Sequence, residues 1–109
     1  MVIQLALRAI DMTITEVKVY PAKEGGRLKA YATVVFDNCF IVRDLKIIEG
    51  HKGFFVSMPS RRRNDGTFRD IVHPLNSETR KLIEDSVVGE YQRVIVLEKD
   101  QQPDYNEAE

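Results

Sequence analysis

Apolar and polar residues alternate over short runs in the first part of the chain, which is the period of β-strands. Residues 13–20 are rich in β-branched side chains and stop at Pro21, so they predict a first strand. Residues 27–36 predict a second strand whose two faces differ. One face carries Ala30, Ala32, Val34 and Phe36, and the other carries Tyr31, Thr33 and Val35.

Two further strands are predicted before the middle of the chain. The pair at 37–38, Asp-Asn, tolerates the positive φ angles of a hairpin turn and precedes a third strand over 39–48. Three apolar residues of that strand are predicted to be in phase: Ile41, Leu45 and Ile47. A fourth strand is predicted over 54–58, where Pro59 ends it.

The period at which apolar residues recur changes after His73-Pro74 from two to about 3.6 residues. Either Asn76 or Ser77 can cap a helix there, and the helix is predicted to run from about residue 77 to the mid-90s. Gly89 inside it indicates a close contact or a bend. The predicted fold class is α+β, with a small antiparallel sheet of four to five strands followed by a C-terminal helix. A single helix does not protect both edges of such a sheet, which predicts a homodimer.

The 109 residues suffice for one domain, and the single cysteine leaves no intramolecular disulfide, as in a reducing cytoplasm. The predicted organisation is an N-terminal extension, 1–11, a single domain, 12–97, and an acidic flexible tail, 98–109. The apolar stretch over 2–10 is interrupted by polar residues and is shorter than the roughly 20 residues of a membrane span. A cytoplasmic protein without membrane contact, cofactor or small-molecule substrate is expected.

A basic segment is hidden within the net charge of -1. Residues 43–69 carry seven basic and three acidic side chains, and the densest part is 60–70, SRRRNDGTFRD. If Asp65-Gly66 forms a two-residue hairpin turn, Arg62 faces Arg69 and Arg61 faces Asp70. A like-charge cross-strand pair is destabilising, and phosphate groups would relieve the repulsion because guanidinium groups bind them bidentately. A solvated charged loop is the alternative. The candidate polyanion site comprises Arg43, Lys46, Lys52, Arg61, Arg62, Arg63 and Arg69.

Residues for catalysis or metal binding are scarce. Cys39, His73 and Asp70 are the types found in nucleophilic triads, but Cys39 lies in a predicted strand as a buried thiol and nothing brings the three together. His51 and His73, with Asp44 or Asp70, lack metal-ligand spacing. His73 is expected to be a hydrogen-bonded structural residue. We therefore expect neither an enzyme nor a metal site.

Four aromatic residues of the predicted strands have two possible roles. Core packing is the favoured role, and stacking on nucleic-acid bases is the alternative if any of them lies on an exposed sheet face. They are Tyr20, Tyr31, Phe54 and Phe55.

Four strings carry a resemblance to a known family. They are residues 12–17 (MTITEV), 42–50 (VRDLKIIEG), 53–62 (GFFVSMPSRR) and 65–77 (DGTFRDIVHPLNS). Together they resemble the stage V sporulation protein G family, also known as the septation proteins, over roughly residues 12–94. The resemblance implies a homodimer with a small antiparallel sheet and a C-terminal helix. It also implies a bacterial regulator that binds DNA and in some cases RNA.

The resemblance further implies that Arg61 and Arg62, the basic pair after Met-Pro-Ser, contact nucleic acid. Arg63 departs from the family pattern, which often has an uncharged residue there. Met12 matches the usual family start, and no function is assigned to residues 1–11. The sequence thus predicts a homodimeric nucleic-acid-binding regulator that influences gene expression, septation or sporulation. The rival hypothesis is a protein-interaction adaptor in cell division or development, with no direct contact to nucleic acid.

Overall fold

The computed structural model describes residues 12–23 and 25–108, with side chains described as far as Glu98. A four-stranded antiparallel sheet has the strand order β1-β2-β3-β4, and a two-stranded hairpin forms a second sheet. The elements are β1 (Ile14–Pro21), β2 (Leu28–Phe36), β3 (Phe40–Gly50), β4 (Gly53–Ser57), β5 (Ser60–Arg62), β6 (Phe68–Asp70) and α1 (Ser77–Ala108). The predicted α+β class is confirmed.

One face of the four-stranded sheet, the inner face, packs against α1. The alternation predicted for β2 is confirmed, because Ala30, Ala32 and Val34 are almost completely buried while Tyr31 is exposed. Tyr91 of the helix also meets the ring of Phe54 edge-on, with ring centroids 5.4 Å apart. The core consists of Ala30, Ala32, Val34, Val42, Leu45, Ile47, Val56, Met58, Ile83, Val87 and Tyr91.

A bulge in β3 decides which of its residues face the core. Val34 is paired with Val42 and Ala32 with Leu45, so β3 has one residue more than β2 between these two pairs. Asp44 lies in this interval and has a φ of 66°. An extra residue reverses the alternation of side chains along a strand. Val42 and Leu45 are therefore both buried, whereas Ile41 is 47% exposed. The prediction that Ile41 is in phase with the core is wrong.

The turn between β2 and β3 forms where the sequence predicts it. Asp37 and Asn38 have φ angles of 52° and 56°. Cys39 closes this turn, with its N–H donating to the carbonyl of Phe36 at 3.0 Å. The prediction of a buried thiol inside a strand is wrong, since Cys39 is exposed at the turn.

The helix begins as predicted and extends further. Its N-cap is Asn76, whose Oδ1 accepts a hydrogen bond from the Thr79 N–H at 2.7 Å. The predicted end in the mid-90s is wrong, since helical backbone continues to Ala108. Good helix formers such as Leu97 and Glu98 follow the last residue packed against the core, Ile95, and favour helical backbone directly after it.

The two predicted end segments lie largely outside the described residues. This holds for the extension, 1–11, and for the side chains of 99–109. The flexibility of the acidic tail therefore stays a prediction.

Gly89 does not make the close contact that is one of the two expectations from the sequence. A Cβ built at Gly89 meets nothing within 4 Å, and the residue is exposed on α1. We predict that Gly89→Ala raises the free energy of unfolding by about 0.5–1 kcal/mol, because alanine restricts the unfolded chain more than glycine does. Urea denaturation followed by circular dichroism measures this change. Gly66→Ala is the opposing control, because the φ of Gly66 is 91° and an alanine there is strained. A Gly89→Ala variant less stable than the wild type would contradict the prediction.

Candidate nucleic-acid interface

The connection between β5 and β6 is a three-residue loop. Gly66 N–H donates to the carbonyl of Arg63 at 3.0 Å, and Arg63 N–H donates to the carbonyl of Thr67 at 2.6 Å. Gly66 occupies the left-handed region with a φ of 91°. A turn whose last loop residue is a left-handed glycine is a common hairpin connection. The prediction of a two-residue turn at Asp65-Gly66 is wrong for this reason.

The longer loop changes the pairing of the arginines. Arg61 lies opposite Arg69, and Arg62 lies opposite Phe68. The predicted pairs, Arg62 with Arg69 and Arg61 with Asp70, are wrong by one residue, and such a slip moves each side chain to the other face of its strand. A like-charge cross-strand pair is nevertheless present, formed by Arg61 in place of Arg62.

An acidic side chain in the turn stabilises the loop. Asp65 Oδ1 accepts hydrogen bonds from the hydroxyl of Thr67 at 2.6 Å and from its N–H at 3.0 Å. These two hydrogen bonds hold the pKa of the Asp65 carboxyl below its ordinary value, and the bond from the Thr67 hydroxyl has the larger effect. The Asp65 carboxylate therefore stabilises the turn.

The four arginines of the hairpin form one basic surface, here named the arginine hairpin: Arg61, Arg62, Arg63 and Arg69. All four are exposed, and in the described part of the chain none of them belongs to an ion pair. A shallow depression of about 460 Å³ lies among them, lined also by Asn64, Asp70 and Ile71. Uncompensated guanidinium groups around an open depression suit a ligand with several negative charges.

The other three candidate residues lie on different surfaces. Arg43 borders a depression on the sheet face that is turned away from α1, together with Tyr20 and Tyr31. Lys46 is paired in register with Tyr31 on that same face. Lys52 lies in the β3–β4 turn. The structure thus brings together four of the seven predicted site residues.

Sequence reasoning missed two residues beside Lys52, Arg27 and His51. Arg27 and His51 line a depression of about 390 Å³ that also includes Lys52, Phe54 and Phe55. Arg27 is far from Lys52 along the chain, and it reaches the turn because its Nε donates to the carbonyl of Glu49 at 3.2 Å. A cross-strand neighbour of this kind has no local sequence signal.

The tyrosines depart from the favoured role of core packing. Tyr20 is 54% exposed and Tyr31 is 42% exposed, whereas Phe54 contacts Tyr91. Phe55 is 40% exposed. Both tyrosines have the parity opposite to the buried residues of their strands, so they lie on the face that α1 does not cover.

An apolar groove of about 330 Å³ is a further feature that sequence reasoning missed. It is lined mainly by hydrophobic side chains, with Phe40, Val72 and Pro74 at the surface and Ile83 at its base. His73 also lines it and is exposed, with Nδ1 3.0 Å from the carbonyl oxygen of Pro74. The groove joins the β2–β3 turn to the start of α1. The segment leading to it is itself apolar and exposed, with Ile71 at 60% and Leu75 at 89%.

Neither metal ligands nor membrane helices are found in the part of the chain that the structure describes. Among the side chains that the structure describes, those of residues 12–23 and 25–98, no three His, Cys, Asp or Glu converge on a point where a metal ion could bind. Over the same residues, no helix is long and apolar enough to cross a membrane.

These features define a small α+β protein with one helix on a four-stranded sheet and an exposed arginine hairpin. The sequence model of the SpoVG family matches residues 12–93, so the chain belongs to the SpoVG family. Three relatives carry the name "Putative septation protein SpoVG". The relative from Bdellovibrio bacteriovorus is 58% identical over 75% of this chain and 75% of its own. The Phytoplasma australiense relative is 50% identical over 77% and 88%. The Caldicellulosiruptor bescii relative is 48% identical over 77% and 96%.

The hydrogen bonds of the turn predict a pH effect. Because the folded-state pKa of Asp65 is lowered, its contribution to hairpin stability is complete above the ordinary carboxyl pKa and is lost as the pH falls through the lowered value. Thr67→Val should raise the pKa of Asp65 toward its ordinary value, whereas Thr67→Ser should preserve the lowered pKa. Carboxyl ¹³C NMR titration measures both variants. Equal pKa values in wild type and Thr67→Val would contradict the assigned contact.

Proposed function

We propose that this chain is a homodimeric nucleic-acid-binding regulator of the cytoplasm that acts in septation or sporulation without a catalytic step. Its relatives are named for septation. DNA is the proposed main ligand, with RNA as a second, and the arginine hairpin is the proposed contact. The observation that carries the proposal is the opposition of Arg61 and Arg69 across β5 and β6.

The pairing of like charges implies an external ligand. Side chains directly opposite each other on one sheet face have Cβ atoms only about 4.5–5.5 Å apart, so two guanidinium groups there destabilise the hairpin. The nearest acidic residue in the turn, Asp65, is bound to Thr67. A phosphate backbone supplies the missing negative charge, and each arginine can bind it bidentately. Such contacts position a protein on DNA without reading its sequence.

The homodimer is supported by the apolar surfaces at the hairpin and the groove. A two-stranded hairpin with three-residue strands is marginal by itself. Here it exposes Phe68, Ile71 and Leu75. The apolar groove beside Phe40 is complementary to such side chains. We propose that the exposed side chains Phe68, Ile71 and Leu75 of one copy pack into the groove of the second copy and reciprocally, as a two-fold axis requires.

A protein-interaction adaptor is the second candidate function. The observation that favours it is Phe68, which is 69% exposed and lies directly opposite Arg62. Exposed aromatic residues beside arginines are typical of energetically important positions in protein interfaces. In this alternative the arginine hairpin binds an acidic protein surface.

Heparin or duplex DNA at low excess should displace nucleic acid from the site. Arg→Lys exchange should weaken a bidentate carboxylate contact more than a nonspecific phosphate contact.

We predict that Arg61→Ala/Arg69→Ala weakens duplex DNA binding by at least about 10-fold at low salt, because it removes up to four phosphate contacts from a dimer. The slope of log affinity against log salt is expected to be near -5 for a wild-type dimer that neutralises about six phosphates. It should become less steep by about one for each phosphate that the variant no longer neutralises. Fluorescence anisotropy of a labelled duplex at several salt concentrations measures both quantities.

A charge-matched control distinguishes contacts made by the arginine hairpin from a general effect of the protein's positive charge on binding. Arg80→Ala/Lys81→Ala removes the same charge from the exposed start of α1. It should bind almost as the wild type does. The Arg61→Ala/Arg69→Ala variant should stay folded, because it relieves repulsion. Equal weakening of binding in both variants would overturn the assignment to the hairpin, and a wild type that binds neither DNA nor RNA would leave the adaptor as the working hypothesis.

The dimer has its own test. We predict that Ile71→Glu/Leu75→Glu converts the protein to a monomer of about 12.5 kDa in sedimentation velocity, because both charges would enter the apolar groove. Val96→Glu, at a position that is 57% exposed on α1, is the matched control and should leave a dimer. A wild type that sediments as a monomer at micromolar concentration would contradict the proposed interface.

A further inference from the structure

The sheet face turned away from α1, here named the outer face, carries an aromatic row. Tyr20 of β1 is paired in register with Tyr31 of β2, and Tyr31 is paired with Lys46 of β3. The two rings therefore lie on adjacent strands, and Lys46 lies beside them on the third. Both tyrosines are largely exposed, although their strands bury alanine and valine on the inner face. Two large rings held side by side on an uncovered face are available to a ligand.

Cations surround the rings. A depression of about 300 Å³ on this face is lined by both tyrosines, Lys18 and Arg43, and also by the acidic residues Glu16 and Asp44. Lys18 forms an exposed ion pair with Glu16 at 3.6 Å, which is too exposed to hold the lysine strongly. Arg43 and Lys46 belong to no ion pair within the described ranges. Two cations are thus available to an anionic ligand beside the aromatic row.

We infer that the outer face is a stacking platform for single-stranded nucleic acid. This inference rests on the proposed function and deepens it by naming the form of nucleic acid that this second surface binds. The bases of a single strand are free to stack on tyrosine rings, while Arg43 and Lys46 contact the phosphates. Bases in a duplex are already paired and stacked, and a flat sheet face has no element that enters a groove. The arginine hairpin accepts either form because it contacts only phosphate.

The outer face has a different chemistry from the arginine hairpin. The hairpin has four cations, three on its two short strands and Arg63 beside the loop, and its exposed ring, Phe68, is single. The outer face has paired rings on two adjacent strands of the main sheet, β1 and β2, where the register fixes their separation. Fixed, adjacent rings favour stacking because little conformational entropy is lost on binding. The two surfaces should therefore respond to different substitutions.

The test compares Tyr20→Ala/Tyr31→Ala with Tyr20→Phe/Tyr31→Phe. Both pairs are titrated by anisotropy against a labelled 12-residue oligouridine and a labelled 12-base-pair DNA duplex, lengths of about one turn of helix. The alanine variant should bind the oligouridine at least about 25-fold more weakly, because the removal of each of the two stacked rings costs a factor of about five or more. Its affinity for the duplex should be unchanged. The phenylalanine variant retains the rings and should bind both as the wild type does.

A second variant guards against loss of structure. Lys46→Glu leaves the aromatic row intact and should also weaken oligouridine binding selectively. Far-UV circular dichroism and sedimentation velocity are recorded for each variant. A change in mass caused by Tyr20→Ala/Tyr31→Ala would show that a second copy covers the face, and this would overturn the inference.

The outcomes separate this inference from the proposed function. If the wild type binds duplex through the arginine hairpin and the tyrosine variant binds oligouridine normally, the stacking platform is wrong and the proposed function stands. If the tyrosines are needed for oligouridine but the arginines are needed for neither ligand, the platform stands and the hairpin assignment is wrong. A wild type that binds neither ligand overturns both.

Discussion

A single helix can cover only one face of a four-stranded sheet, and the remaining surfaces of this protein follow from that constraint. Helix α1 packs Ile83, Val87 and Tyr91 against the inner face and leaves the outer face open. The core is therefore narrow, and large aromatic and charged residues occupy the opposite side of the same strands. Side chains alternate along a strand. The sequence positions that place apolar residues on the inner face therefore also determine which residues face solvent on the outer face.

The arginine hairpin lies outside this core and depends on local contacts. It makes little contact with the main sheet or the helix among the described residues. At its base the Ile71 N–H donates to the carbonyl of Pro59 at 2.7 Å, which continues the pairing of the two strands. Met58, one residue earlier, is 4% exposed and anchors the chain in the core. The Asp65–Thr67 hydrogen bonds close the other end. A hairpin fixed at base and tip can maintain adjacent arginines despite their repulsion.

Much of the fold was predictable from local signals, and two of the errors share a physical cause. The alternation at Ala30, Ala32 and Val34 and the turn at 37–38 were sufficient to specify β2 and its hairpin. The errors at Ile41 and at the arginine pairing each come from one extra residue. In β3 the extra residue lies in the bulge at Asp44, and in the hairpin the extra residue lies in the three-residue loop before β6. A bulge depends on tertiary packing as well as on the local sequence, and a slip of one residue reverses every face beyond it.

The candidate site was predictable only where its residues are adjacent in sequence. Arg61, Arg62, Arg63 and Arg69 come together because a short turn joins their strands, whereas Arg43 and Lys46 belong to the outer face and Lys52 to a turn. A count of positive charges along residues 43–69 merges these surfaces because it ignores which side of each strand a residue occupies. Separating them changes the expected chemistry. A cluster of arginines without paired rings contacts phosphate in any nucleic acid, while cations beside paired rings also require accessible bases. The direction in which each strand presents its side chains therefore determines which surface offers cations alone and which offers cations beside paired rings.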